Sequence, residues 1–158
     1  MASIDVLAAV LGFQGKYEEA ETLHRRVLEW SEKKLGQDHP DTLNSVSNLA
    51  SVLRNQGRYE EAETLHRRAL EGREKKLGEG HPDTLTSMSN LAAVLRLQGK
   101  YSEAETLNRR ALEGSEKKLG QNHPDTLNSV NNLAVLLGTL HRYPEADELY
   151  QRACDGLT

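Results

Sequence analysis

One stretch of 42 residues recurs along the chain, and no other feature restricts the fold as much. It reads LGQDHPDTLNSVSNLASVLRNQGRYEEAETLHRRALEGREKK from Leu35 to Lys76, and its next copy occupies 77–118. His39, His81 and His123 fall 42 apart, as do Tyr17, Tyr59, Tyr101 and Tyr143, and Ala20, Ala62, Ala104 and Ala146. The two complete copies align without gaps and differ at 10 of 42 positions, so the chain is a duplication. A fixed period of roughly 20–50 residues marks a stacked repeat, whose units bury their apolar faces on their neighbours. The units run about 1–34, 35–76, 77–118 and 119–158, in a single repeat domain.

Each unit reads as two helices. Val46, Leu49, Ala50 and Leu53 fall at i, i+3, i+4 and i+7, the apolar face of a first helix, A, over about 41–55. His39-Pro40-Asp41 starts it: proline is tolerated in the first turn, and aspartate meets the positive end of the helix dipole. Gln56-Gly57 ends it. A second helix, B, opens near Tyr59 with Tyr59, Ala62, Leu65, Ala69 and Leu70 on its apolar side and Glu60, Glu63, Arg67, Glu71 and Glu74 facing solvent. Lys75 and Lys76 complement the dipole in its last turn, and Gly78 stops it. Small Ala50 and Ala62 sit where the two helices must approach closely. The expected fold is therefore all-α, with about eight helices in four antiparallel pairs.

The pattern L-A-x-x-L … Q-G-x-Y-x-E-A-E-x-L-x-x-R-A-L-E resembles the tetratricopeptide repeat, with Leu49, Ala50, Leu53, Tyr59, Ala62 and Ala69 at the family's packing positions. The period of 42 exceeds the usual 34 of that family. The longer unit resembles the repeats of kinesin light chain, and also the near-identical arrays of fungal and bacterial NOD-like (STAND-class) receptors. The resemblance implies a right-handed superhelix whose A helices line a concave wall. It places Asn44, Ser47, Asn48, Ser51 and Asn55 of the second unit on that wall, with Thr86, Ser89, Asn90, Ala93 and Leu97 of the third and Asn128, Asn131, Asn132, Val135 and Thr139 of the fourth.

Asn48, Asn90 and Asn132 recur just before the packing leucine, where family members that hold peptides also use asparagine. Asparagine offers both donors and acceptors to an extended backbone. Arg54 and Arg96 lie one to two turns further on and suit an acidic side chain or a terminal carboxylate. Asn48, Asn90, Asn132, Asn44, Asn128, Ser51, Arg54 and Arg96 are thus the expected peptide-binding residues. A second reading has the asparagines bond to neighbouring helices and brace the array. Of the ten differences between the full copies, three (44/86, 51/93 and 55/97) fall on the wall.

Other chemistries find no seat. His39, His81 and His123 sit one per unit, and neighbouring units are about a helix diameter apart, roughly 10 Å. That is too far to share a metal at Zn–N distances near 2 Å, so their expected role is starting helix A. His24 and His66 give way to Asn108 in the third unit, which speaks against an obligatory reaction. The glycines are read as lying at helix ends rather than in a phosphate loop. No cofactor and no enzymatic activity are expected.

A net charge of −4 offers no basic excess for nucleic acid, and no apolar run approaches the roughly 18 residues that span a membrane. Cys154 is the only cysteine, which suggests a reducing, cytoplasmic setting. Residues 1–14 match helix A at Leu7, Ala8 and Leu11 but lack the H-P-D-T lead, so the sequence is expected to be a piece of a longer protein. Gly138, His141, Pro144, Tyr150, Cys154 and Leu157 make the last unit atypical. The expected partner is a protein or peptide segment, acidic by the arginine reading. The alternative is a structural or sensor array that forms homo-oligomers through its terminal repeats, involving Leu7, Leu149 or Leu157.

Overall fold

The computed structural model describes Leu7 and residues 16–157. Among them are seven α-helices and no strand: α1 (Tyr17–Leu35), α2 (Pro40–Asn55), α3 (Tyr59–Leu77), α4 (Pro82–Leu97), α5 (Tyr101–Leu119), α6 (Pro124–Thr139) and α7 (Tyr143–Leu157). The helix expected before α1, with Ala8 and Leu11, lies outside the described residues, as does the side chain of Leu157. The chain divides into two compact units, Met1–Lys76 and Leu77–Thr158.

The period is written into the helix ends. His39, His81 and His123 are the N-caps of α2, α4 and α6, as expected for helix-starting residues. Each ring accepts, through Nδ1, the backbone N–H of the aspartate two residues on, at 3.1 Å in all three copies. This satisfies one of the orphan donors of the first turn. At the far end, Gly57 and Gly99 take positive φ, and the next residue returns its N–H five residues back: Arg58 to Leu53 O, Lys100 to Leu95 O. In the last copy His141 holds the same place at φ 60, with Arg142 N–H on Leu137 O. A side chain in this region costs roughly 1–2 kcal/mol relative to glycine.

Packing follows the apolar spacing. In the first unit Val46, Leu49, Ala50, Leu53, Ala62 and Ala69 are buried. In the second, Leu112, Val130, Leu133, Leu137 and Ala146 form one cluster, with Leu149 and Ala153 packed against it, so that α5, α6 and α7 share a core. Each such leucine contributes about 1.5–3 kcal/mol by leaving water.

Two glycines depart from the expectation that glycines mark helix ends. Gly72 and Gly114 lie inside α3 and α5. A Cβ on Gly72 would meet Leu43 Cδ2 at 2.8 Å, and one on Gly114 would meet Leu85 Cδ2 at 2.5 Å. A Cβ at either place would have to displace the tip of that leucine, so glycine lets the first leucine of helix A seat closely on helix B. Trp30, at the corresponding place in α1, is exposed.

A second device joins successive B helices. Arg58 Nη1 donates to Glu21 at 2.8 Å, and Nη2 to Glu61 at 2.8 Å, tying α1 to α3. Arg142 does the same in the second unit, with Glu105 and Glu145 both at 2.8 Å, tying α5 to α7. Burial pushes the Glu21 carboxyl up, but hydrogen bonds from Arg25, Gln56 and Arg58 outweigh it and hold it below the ordinary 4.5. Glu105 is held low in the same way by Arg109 and Arg142.

Candidate functional site

The A helices carry the expected residues. On α2 of the first unit, Asn44 and Asn48 are exposed and Ser51 and Arg54 half-buried. Asn48 immediately precedes Leu49, which is fully buried, so the helix spacing that buries the leucine turns the asparagine outward. Ser47 is a correction: expected on the wall, it is buried. Leu43, Val46, Ser47 and Ala50 fall at i, i+3, i+4 and i+7, which puts Ser47 on the packing stripe.

In the second unit, Asn90, Ser89 and Arg96 on α4 are half-buried, while Thr86 is exposed. On α6, Asn128, Asn131 and Asn132 are exposed. A cleft of about 190 Å³ opens among α4, α5 and α6. Thr86 and Ser89 of α4, Ser115 and Leu119 of α5, and Asp125, Asn128, Ser129 and Asn132 of α6 line it, with Pro82 and Leu85 at one side. The fold thus brings two expected asparagines together with the wall residues of the preceding helix A. Asn90 and Arg96 are not among the lining residues.

The side chains differ in how far they are committed. Asn44 accepts from Arg73 Nη2 at 2.5 Å. Arg54 Nη2 reaches Asn55 Oδ1 at 3.5 Å. Asn48, Asn90 and Asn132 make no side-chain hydrogen bond to another described residue.

Two residues carry electrostatics that the sequence reading passed over. His66 on α3 is completely buried, and neither ring nitrogen has a hydrogen-bond partner. Burial, with the charges of Arg54 and Arg73 adding to it, pushes the ring down to about 4, so it is neutral at neutral pH. Arg73, also on α3, is only 7% exposed. The signal was present: Ala62, His66, Ala69 and Arg73 fall at i, i+4, i+7 and i+11, which puts both polar residues on the packing stripe of helix B. Among the described residues no group of histidine, cysteine or carboxylate side chains could hold a metal, and Cys154 is exposed. No described helix is long and apolar enough to cross a membrane.

Comparison with known proteins accords with this geometry. A tetratricopeptide repeat family profile matches residues 43–117 and 89–158, and a second one matches 1–41. No curated protein matches the sequence. Among solved structures, BtubC (BKLC) from P. vanneervenii superposes with a TM-score of 0.87 at 21% identity, over 97% of this chain. The chain spans 61% of that protein's length. A P. anserina protein described as a kinesin light chain with nearly identical TPR-like repeats superposes at 0.67 with 23% identity, over 99% of this chain and 94% of its own. The apo form of RapI superposes at 0.82 with 16% identity, over 97% of this chain and 54% of its own.

Proposed function

The chain belongs to the tetratricopeptide repeat family, whose fold is typical of protein–protein interaction modules, and from that premise we propose that it binds an extended segment of a partner protein along the exposed faces of its A helices. The observation that carries this is the state of the recurring asparagines. Asn48 and Asn132 project outward beside fully buried leucines, and all three asparagines lack an internal partner. That favours backbone recognition over bracing, because a bracing amide would be bonded to a neighbouring helix. Arg54 and Arg96 supply positive charge one to two turns on, suited to an acidic side chain of the segment.

The test begins with peptides selected on the chain from a random display library. Their affinities are then measured for wild type and for an Asn48/Asn90/Asn132→Ala variant of equal helicity by circular dichroism. The variant is expected to bind at least about tenfold more weakly, since each lost amide removes hydrogen bonds made in a desolvated contact. Unchanged affinity would sink the reading. A second reading, self-association as a receptor's repeat array, draws on α7, where Tyr143 and Tyr150 are 54% and 41% exposed. It requires a mass above monomer in light scattering that falls when both tyrosines become serine.

A further inference from the structure

The second unit's cleft has a template for its occupant in the first unit. At position 73 the repeat carries a buried arginine on helix B, bonded to Asn44 of helix A. One period later the same two places hold Ser115 and Thr86. These positions, 44/86 and 73/115, are two of the ten at which the complete copies differ. Ser115 is buried, its Oγ 3.5 Å from Ser129 Oγ, and the shorter side chain leaves the cleft of about 190 Å³ beside it. That is several times the roughly 30 Å³ of a liquid water, room for one side chain and too little for a helix.

We infer that this cleft receives an arginine side chain of the partner segment, occupying the space that Arg73 marks in the sister copy. The chemistry is suited to it. Asp125 is the one charged residue among the described residues that line the cleft. Asn128, Asn132, Ser115 and Thr86 add oxygen acceptors, and Leu119 offers an apolar wall for the aliphatic stem. A guanidinium has five N–H donors and no acceptor, so a lining rich in oxygens with one carboxylate satisfies it. An acidic or a wholly apolar side chain would leave that carboxylate or those polar groups without partners. The inference rests on the reading that the A-helix faces take a partner segment, and it adds the chemistry of one residue of that segment.

The experiment uses small probes, so that it does not depend on knowing the partner. Amide shifts of the isotope-labelled full chain are followed on titration with N-acetyl-arginine amide, N-acetyl-leucine amide and N-acetyl-glutamate amide. Saturable shifts centred on Thr86, Ser115 and Asn128 are expected with the arginine probe alone. A Thr86→Asn/Ser115→Arg variant rebuilds the first unit's pair and fills the cleft; it should bind the probe at least about tenfold more weakly, as loss of charge-assisted bonds requires. Equal shifts from the leucine or glutamate probe, or undiminished binding by the variant, would overturn the proposal. If that variant fails to fold, the isosteric Asp125→Asn decides: arginine-probe affinity should fall, and an unchanged affinity counts against the proposal. Loss of the groove reading would show in the selected peptides and the asparagine variant while leaving these probe shifts in place, so the two failures are distinguishable.

Discussion

Each of the two units contains one complete 42-residue copy, 35–76 in the first and 77–118 in the second, and these nearly identical copies bury different polar chemistry. The first encloses His66 and Arg73; the corresponding places in the second hold Asn108 and Ser115, also buried. In both, the frame is the same: histidine caps, a glycine under the first leucine of helix A, and an arginine bridging two B helices. A repeat can therefore exchange a cation for a hydroxyl in its interior, provided the backbone contacts around that site are kept. The first unit fills the space with its own arginine, and the second leaves it open as a cleft.

The strongest way to break the shared frame is at the internal glycines. Gly114→Trp, which installs the residue that α1 carries as Trp30, should lower stability by roughly 1–3 kcal/mol through overpacking against Leu85. Gly72→Trp should do the same against Leu43, because the two contacts are equivalent. Gly138→Ala is the control: an added Cβ there meets nothing within 4 Å, so helix propensity should make it neutral or stabilising by up to about 1 kcal/mol. Urea midpoints of the three variants check this. If Gly114→Trp unfolds no earlier than wild type, the glycine is not there for the leucine.

The next prediction concerns what differs between the units. His66 is pushed from 6.5 down to about 4 in the folded chain, so between those values the unfolded chain takes up a proton that the folded one refuses. Stability should fall as the pH drops through this window and stop falling from this cause below about 4. The full effect is on the order of 3 kcal/mol. His66→Asn gives the first unit the residue of the second, and it should remove this loss while leaving stability at pH 7 nearly unchanged. Denaturation of both proteins at pH 7 and pH 4.5 measures the difference. Parallel losses in wild type and variant would show that His66 is not the group responsible.

Most of the frame was legible because its signals are local and repeat. His-Pro-Asp at each start and Gln-Gly at the ends of α2 and α4 place helix A to within a residue, since caps depend on near neighbours in sequence. What escaped reading depends on distant partners. The tight contact at glycines 72 and 114 is invisible until Leu43 and Leu85 lie on them, 29 residues away. The Arg58–Glu21 and Arg142–Glu105 bridges span 37 residues, and from the sequence Glu63, at the same place of the repeat as Glu21 and Glu105, reads only as solvent-facing. His66 and Arg73 lie on the apolar stripe that runs through Ala62 and Ala69, but an apolar pattern does not mark polar side chains as buried. At the candidate site the family resemblance put Asn48, Asn90, Asn132 and Ser47 on one wall; Asn48 and Asn132 are exposed and Asn90 half-buried, while Ser47 is buried because its stripe position outranks its polarity. The cleft of the second unit could not be read at all, because it is made by what Ser115 lacks.

The smallest expected effect sharpens the comparison from the side of what the units share. Glu21 and Glu105 hold equivalent places, each largely covered and each bonded to two arginines. Their carboxyls are held below 4.5, so the stability they contribute is complete above that value and is lost as the pH falls through the lowered one. Glu21→Gln and Glu105→Gln should each lower stability at pH 7 by about 1 kcal/mol or less, the usual range for partly solvated ion pairs. Each should also flatten the acid limb below 4.5 and leave the window between 6.5 and about 4 that belongs to His66 intact. Added salt should shrink the two differences alike, because both bridges are reached by solvent. Unequal losses would mean that the bridge braces one unit and merely decorates the other. Then the shared frame would reduce to the histidine caps and the buried glycines, and the arginine would have to be counted among the things the units do not have in common.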